Sequence, residues 1–476
     1  MKKERKILLA ILVVALVVRI AFAFSTPLRI WDETVYAGLG YDLSRNPADY
    51  SFAHNGWSDF IPNGMWPKAG FRAPLLPYTL AVLNFLNLGA LIELLMPVVG
   101  TINVLLVYFL GKKLFGEKTG LYSAVFISFL PFHAYHSGKI LTDIFSTTFL
   151  TLAILLFWKG FEENDKRSKV LFGFAFALTI LARYTMLWMV PVFLAYFMLK
   201  HRSLGFLKDN CLWAAAAVFL VTFIPLFSYG LYEYQNPLGA FVHGFLAAPY
   251  WGGTQEWYEY FKIWPIMFSA VGIAVIFALI GVFKERKYVK KEHYLLLLWA
   301  ALFLLFAMNM PHKEDRYILP IAPAVCILTG AYIASLKKCR TAALATVVIL
   351  SIITLAGAIV YTYNISYTDK NMCFLEANKY LNAVENNALI ITDESPVVYY
   401  YTKRETSFYP NPWGMPELRA LANNYAGRPV YVFFTDFDMP LWDEKNKMKK
   451  ADLDAGSNKT FECLRGESFS FVYKYA

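Results

Sequence analysis

Asp32 and Glu33 stand side by side in Ile30-Trp31-Asp32-Glu33-Thr34-Val35-Tyr36-Ala37, directly after the first long apolar run. Adjacent side chains on a helix point to different sides, so one acid can cap the first turn while the other faces a cavity. A carboxylate in a water-poor site at a membrane surface suits general base catalysis. Asp143, in Leu141-Thr142-Asp143, opens a later apolar run and supplies a further carboxylate, suited to positioning an acceptor or orienting Lys139 or a histidine. Simple helix capping is the competing reading for all three acids.

Three arginines carry the complementary charge. Arg72 lies in Phe71-Arg72-Ala73-Pro74-Leu75-Leu76-Pro77, Arg183 at the middle of a long apolar stretch, and Arg316 at the end of Pro311-His312-Lys313-Glu314-Asp315-Arg316. Arginines at span ends often snorkel to headgroups. Gathered on one cavity they form an anion site, because guanidinium stays charged and binds phosphate bidentately. His312 stands beside them as a supporting residue. Asp32, Glu33 and His136 are candidate metal ligands, with His133 nearby, but their spacing matches no established ligand pattern. The sequence therefore requires no cofactor and leaves a divalent metal open.

These parts suit one reaction. A polyprenyl phosphate sugar has a membrane-buried tail, an anionic phosphodiester at the surface and an activated anomeric carbon. Transfer needs a base for the acceptor hydroxyl and positive charge where the departing phosphate becomes more negative.

The elements that must position these groups cross a membrane. The 476 residues are 57% hydrophobic and 17% charged, which excludes an ordinary soluble globular protein. Apolar runs predict about 11 spans, at 7–24, 90–111, 119–136, 140–158, 171–183, 184–199, 211–230, 263–283, 293–310, 317–336 and 341–363. Loops on the N-terminal side carry 22 Lys and Arg, and the opposite loops before residue 364 carry 9. This positive-inside asymmetry puts the N-terminus in the cytoplasm and explains the net charge of +10 without nucleic acid.

The expected fold is a polytopic α-helical membrane domain, residues 1–363, with an outer loop at 25–89 that contains an interfacial helix, Glu33–Leu43. A small α/β domain, residues 364–476, follows on the outer face. Ala388–Thr392, Pro429–Phe434 and Ser468–Tyr473 read as its strands, Phe374–Val384 and Pro416–Tyr425 as its helices. Cys373 and Cys463, near its two ends, are candidates for a disulfide outside the cytoplasm. Asn364-Ile365-Ser366 and Asn458-Lys459-Thr460 are sequons on the same side.

Four motifs in order resemble the GT-C superfamily of membrane glycosyltransferases: Trp-Asp-Glu-x-x-Tyr-Ala from Trp31, Arg-Ala-Pro-Leu-Leu-Pro-Tyr from Arg72, Leu-Thr-Asp from Leu141, and His-Lys-Glu-Asp-Arg-Tyr-Ile-Leu-Pro from His312. The likeness spans about residues 7–340. It is strongest to glycosyltransferase family 39, with its protein O-mannosyltransferases and the aminoarabinose transferases that modify lipid A. The resemblance implies that Asp32 or Glu33 is the catalytic carboxylate. It implies a dolichyl- or undecaprenyl-phosphate donor, a hexose such as mannose, and Arg72, Arg183 and Arg316 facing the donor phosphate. The C-terminal domain does not resemble the β-trefoil of the protein O-mannosyltransferases, and the His312-Lys313-Glu314 stretch is closer to mannosyltransferases of lipid-linked oligosaccharides and glycolipid anchors.

The leading expectation is thus an inverting glycosyltransferase acting at the outer membrane face, with a glycan, lipid or protein acceptor. A transporter or flippase of lipid-linked sugars is the alternative. It would carry ionisable residues near mid-membrane and internal repeats, whereas the notable charges cluster at one face.

Overall fold

The computed structural model describes the chain apart from residues 1, 27, 30, 55–68, 202–203, 248–254, 285–289, 411–412, 426, 438–443 and 476. The described residues form two compact units. The first comprises residues 1–24, 70–76 and 88–360, the second residues 25–69, 77–87 and 361–476.

The first unit is helical. Among the described residues, eight helices of the chain are long and apolar enough to cross a membrane. This is fewer than the run count expects, for local reasons. The run at 119–136 divides where Leu130 turns extended and Pro131 starts anew, giving Glu117–Phe129 and the short Pro131–His136. The run at 171–199 breaks at Arg183, as expected, between Lys166–Ala182 and Met189–His201. Small residues let helices approach closely. A Cβ on Gly120 would lie 2.7 Å from the Tyr108 carbonyl oxygen, and one on Gly173 only 2.1 Å from that of Ala215.

Helix Thr142–Phe157 is the spine of this unit. It packs on Lys166–Ala182, on Ile92–Phe115 and on the 3-10 turn Asp315–Ile321, and its far end loosens into a π-turn, Trp158–Glu162. Thr142 and Asp143 occupy its first turn and Arg183 caps the end of its neighbour. The unit's chemistry-bearing residues therefore gather where these helix ends meet.

The second unit contains a five-stranded sheet. Strands β1 (Leu389–Ile391), β2 (Glu405–Ser407), β3 (Val430–Thr435), β4 (Asn458–Arg465) and β5 (Ser468–Tyr475) lie in the order β2-β1-β3-β5-β4. β2 and β3 run parallel to β1, while β5 is antiparallel to both β3 and β4. Alternation along the strands feeds two cores. Ile390, Tyr431 and Phe433 pack with Phe374 and Val397 on one face, and Leu389, Val432 and Phe434 pack with Leu418 and Leu453 on the other. Cys373 and Cys463 form a disulfide, tying helix Asp369–Asn382 to β4.

Residues 25–69 and 77–87, which the sequence reading places with the membrane helices, are grouped with this sheet. Leu28 and Trp31 join the Phe374 core, and the helix Asp32–Arg45 packs against Ser395–Thr402.

Candidate functional site

In the first unit the centre is Arg183. The end of helix Lys166–Ala182 sets its backbone in extended geometry, and its amide donates to the Thr179 carbonyl at 3.1 Å. The guanidinium then reaches the start of Thr142–Phe157, where it donates to Thr142 Oγ1 at 3.4 Å and pairs with the Asp143 carboxylate. Its Cζ lies 5.0 Å from the centre of the Tyr317 ring. One face of Arg183 is thus braced by an aromatic ring and one edge by a carboxylate. The Asp143 side chain is 2% exposed and that of Arg183 16%, so the pair is largely withdrawn from water. The second carboxylate oxygen of Asp143, Oδ2, is buried without a hydrogen-bond partner among the described residues.

A second cluster forms on the turn that carries Tyr317. Glu314 pairs with Arg316 at 2.6 Å, accepts from the Tyr317 hydroxyl at 3.0 Å and lies 3.4 Å from His312 Nε2. Asp315 lies 3.5 Å from His136 Nε2, and the His136 ring sits edge-on to Phe132 and Tyr135. Lys139 rests over the Tyr135 ring at 5.4 Å. Arg72 is held through its backbone, whose carbonyl accepts from the Tyr184 hydroxyl at 3.4 Å, while its guanidinium lies 5.4 Å from the Phe71 ring centre. The structure therefore joins Arg183 to Asp143, and Arg316 to His312 through Glu314. Sequence reasoning gave no role to Glu314, Asp315 or Tyr317, although all three lie inside the quoted His312 motif.

Asp32 and Glu33 belong to the second unit, at the first turn of Asp32–Arg45. Glu33 is buried and pairs with Arg29 at 3.0 Å, and Arg29 is equally buried. Asp32 is partly exposed. The residue before it, Trp31, has φ 42° and ψ −114°, which is unusual for a bulky side chain. Such a conformation costs on the order of 1–3 kcal/mol and persists only where the surroundings enforce it. Here the Trp31 ring packs against the Phe374 core.

Arg19 was overlooked. It is fully buried in the first apolar helix. It donates to the carbonyls of Ala15 and Ile127 at 2.9 and 3.2 Å and to His133 Nδ1 at 2.9 Å. His133 Nε2 meets Asn103 Oδ1 at 3.1 Å, and Asn103 donates on to Thr151 Oγ1 at 3.0 Å. This bond pattern assigns His133 the neutral Nε2–H tautomer. The chain of bonds links five helical segments and steadies the helix that bears Asp143. Its signal in sequence was a lone arginine within an apolar run. Among the described residues no group of three or more His, Cys, Asp or Glu is arranged to hold a metal.

The fold is similar to that of solved GT-C membrane glycosyltransferases, and the chain is a multi-pass membrane protein. Residues 72–229 match the family model described as dolichyl-phosphate-mannose-protein mannosyltransferase. The structure is similar to ArnT from Cupriavidus metallidurans bound to undecaprenyl phosphate, with a TM-score of 0.75 and 12% identity over 98% of this chain and 97% of that one. It is also similar to the archaeal oligosaccharyltransferase AglB from Archaeoglobus fulgidus in complex with an inhibitory peptide and a dolichol-phosphate. There the TM-score is 0.62 and the identity 13%, over 98% of this chain and 74% of that one. No curated protein matches by sequence.

Proposed function

We propose that the protein transfers a hexose, mannose foremost, from a polyprenyl- or dolichyl-phosphate donor to an acceptor hydroxyl with inversion, at the outer face of the membrane. Asp32 takes the hydroxyl proton of the acceptor. The acceptor oxygen bonds to the anomeric carbon as the bond from that carbon to the phosphate oxygen breaks, and the lipid phosphate leaves with the electron pair. Arg72, Arg183 and Arg316 neutralise the charge that grows on the phosphate, each such contact contributing on the order of 3 kcal/mol. Glu33 pairs with the buried Arg29 and supports the turn that carries Asp32.

The observation that carries this reading is the braced Arg183. A guanidinium locked by Asp143 and Tyr317 is preorganised, so little reorganisation is needed when phosphate arrives. The N-terminus faces the cytoplasm in this reading, and the α/β domain faces outward. Purified protein supplied with radiolabelled polyprenyl-phosphate hexose and a mixed pool of glycan, lipid and peptide acceptors tests it. Label should move to an acceptor with inverted anomeric configuration. Absence of movement with every donor, or retention of configuration, overturns the proposal.

A further inference from the structure

The second unit holds the acid-bearing helix Asp32–Arg45 at both of its ends. Near its start, the Tyr401 hydroxyl accepts from the Arg29 amide at 2.6 Å and lies 3.3 Å from the Arg29 carbonyl oxygen, so one phenol fixes the segment that leads into Asp32. Arg29 in turn pairs with Glu33, and the strained Trp31 is lodged in the Phe374 core. Toward the other end, the Tyr399 hydroxyl donates to the buried Asp42 carboxylate. Between these ties Gly38 lets the Tyr399 ring lie flush on the helix, since a Cβ there would come within 3.3 Å of it. Tyr399 and Tyr401 belong to one helix, Ser395–Thr402, which follows β1 directly.

A free interfacial helix needs none of this. Its first turn would fray, because four amides there lack intrahelical partners, and Trp31 supplies no side-chain cap. A general base misplaced by about 1 Å loses on the order of a hundredfold in rate. We propose that Tyr399, Tyr401 and Asp42 are positioning residues, through which the C-terminal α/β module mounts the Asp32 helix and holds its first turn in register for catalysis. The module is then the bed of the catalytic carboxylate. This inference rests on the reading of Asp32 as the general base, but the mounting itself is measurable without activity.

The test uses the full chain in detergent or nanodiscs and compares wild type with Tyr401→Phe, Tyr399→Phe, Asp42→Leu and Asp42→Asn. Hydrogen exchange is followed by mass spectrometry over residues 31–40, and kcat and donor KM are measured per folded molecule. Tyr401→Phe, Tyr399→Phe and Asp42→Leu should speed exchange in that segment about tenfold, with the β3–β5 strands unchanged. They should lower kcat about tenfold with donor KM within twofold. Asp42→Asn keeps an oxygen acceptor for Tyr399 and should restore most of kcat and of the protection. Unchanged exchange in all variants overturns the proposal, as does an Asp42→Asn as poor as Asp42→Leu. If wild type transfers no sugar but the exchange pattern holds, the general-base reading fails and the mounting stands.

Discussion

Glu33 and Arg29 form a buried ion pair at 3.0 Å, one turn apart at the start of the acid-bearing helix. Glu33 is held by a guanidinium, beside Asp32, the acid proposed for chemistry. Removing one member of such a pair leaves a buried charge uncompensated, at a cost of roughly 3–5 kcal/mol. Glu33→Gln should therefore lower the thermal unfolding midpoint clearly. The double substitution Arg29→Met, Glu33→Leu should recover most of the loss. Equal midpoints for Glu33→Gln and wild type would show that the pair is not integral to the fold.

Arg183 and Lys are not interchangeable in this setting. An ammonium cannot both span the Asp143 carboxylate and present a planar edge to phosphate. Arg183→Lys is expected to lower kcat/KM about a hundredfold, with binding of the lipid phosphate weakened in parallel. Isothermal titration with undecaprenyl phosphate checks the binding half of this statement, and an unchanged affinity would remove Arg183 from the phosphate site.

Asp42 sits among Tyr399, Tyr41, Arg45, His54, Asp49 and Lys403. Burial raises its carboxyl from 3.8 to about 6, against the pull of the Tyr399 hydrogen bond and nearby positive charge. Burial also lowers Lys403, whose ammonium lies over the rings of Tyr41, Tyr399 and Tyr400, from 10.5 to about 8. A raised acid favours the folded state at low pH, and that advantage fades as pH climbs from about 4 to about 6. Asp42→Asn lacks this titration. Its midpoint relative to wild type should rise across that window and stay level from about 6 to about 8. A flat difference from pH 4 to 6 would contradict the assignment.

The disulfide closes a long loop, with 90 residues separating Cys373 from Cys463. Chain-entropy reasoning gives roughly 4–5 kcal/mol of stabilisation for a loop of that length. Reductant should lower the unfolding midpoint of the α/β module, and Cys373→Ser with Cys463→Ser should reproduce the shift without reductant. Insensitivity of the midpoint to reductant would argue against the bond.

Much of this was legible in the linear chain, and the reasons for the rest are physical. Long apolar runs announce helices by length alone, so the membrane helices and the break at Arg183 stood out. β1 and β3 showed because their residues are almost continuously apolar, and β5 because aromatic and β-branched residues dominate it. β2 has three residues, too few for a pattern, and β4 is an edge strand whose side chains are mostly polar and exposed. The helix Glu444–Gly456 is strongly polar, with Leu453 its buried anchor among the described positions, and carries little periodic signal. The pairing of Arg183 with Asp143 joins residues 40 positions apart, and the tie of Tyr399 to Asp42 joins residues 357 apart. No local rule connects such partners. The Arg19 network escaped because its partners, His133 and Asn103, come from other helices, far from Arg19 in sequence.

Single-turnover transfer from radiolabelled polyprenyl-phosphate hexose, comparing wild type with Asp32→Asn, addresses the central claim most directly. The mutant should retain binding of the lipid phosphate while its rate of label transfer falls at least a thousandfold, on the order of general-base and positioning losses combined. Transfer by Asp32→Asn at the wild-type rate would contradict the account.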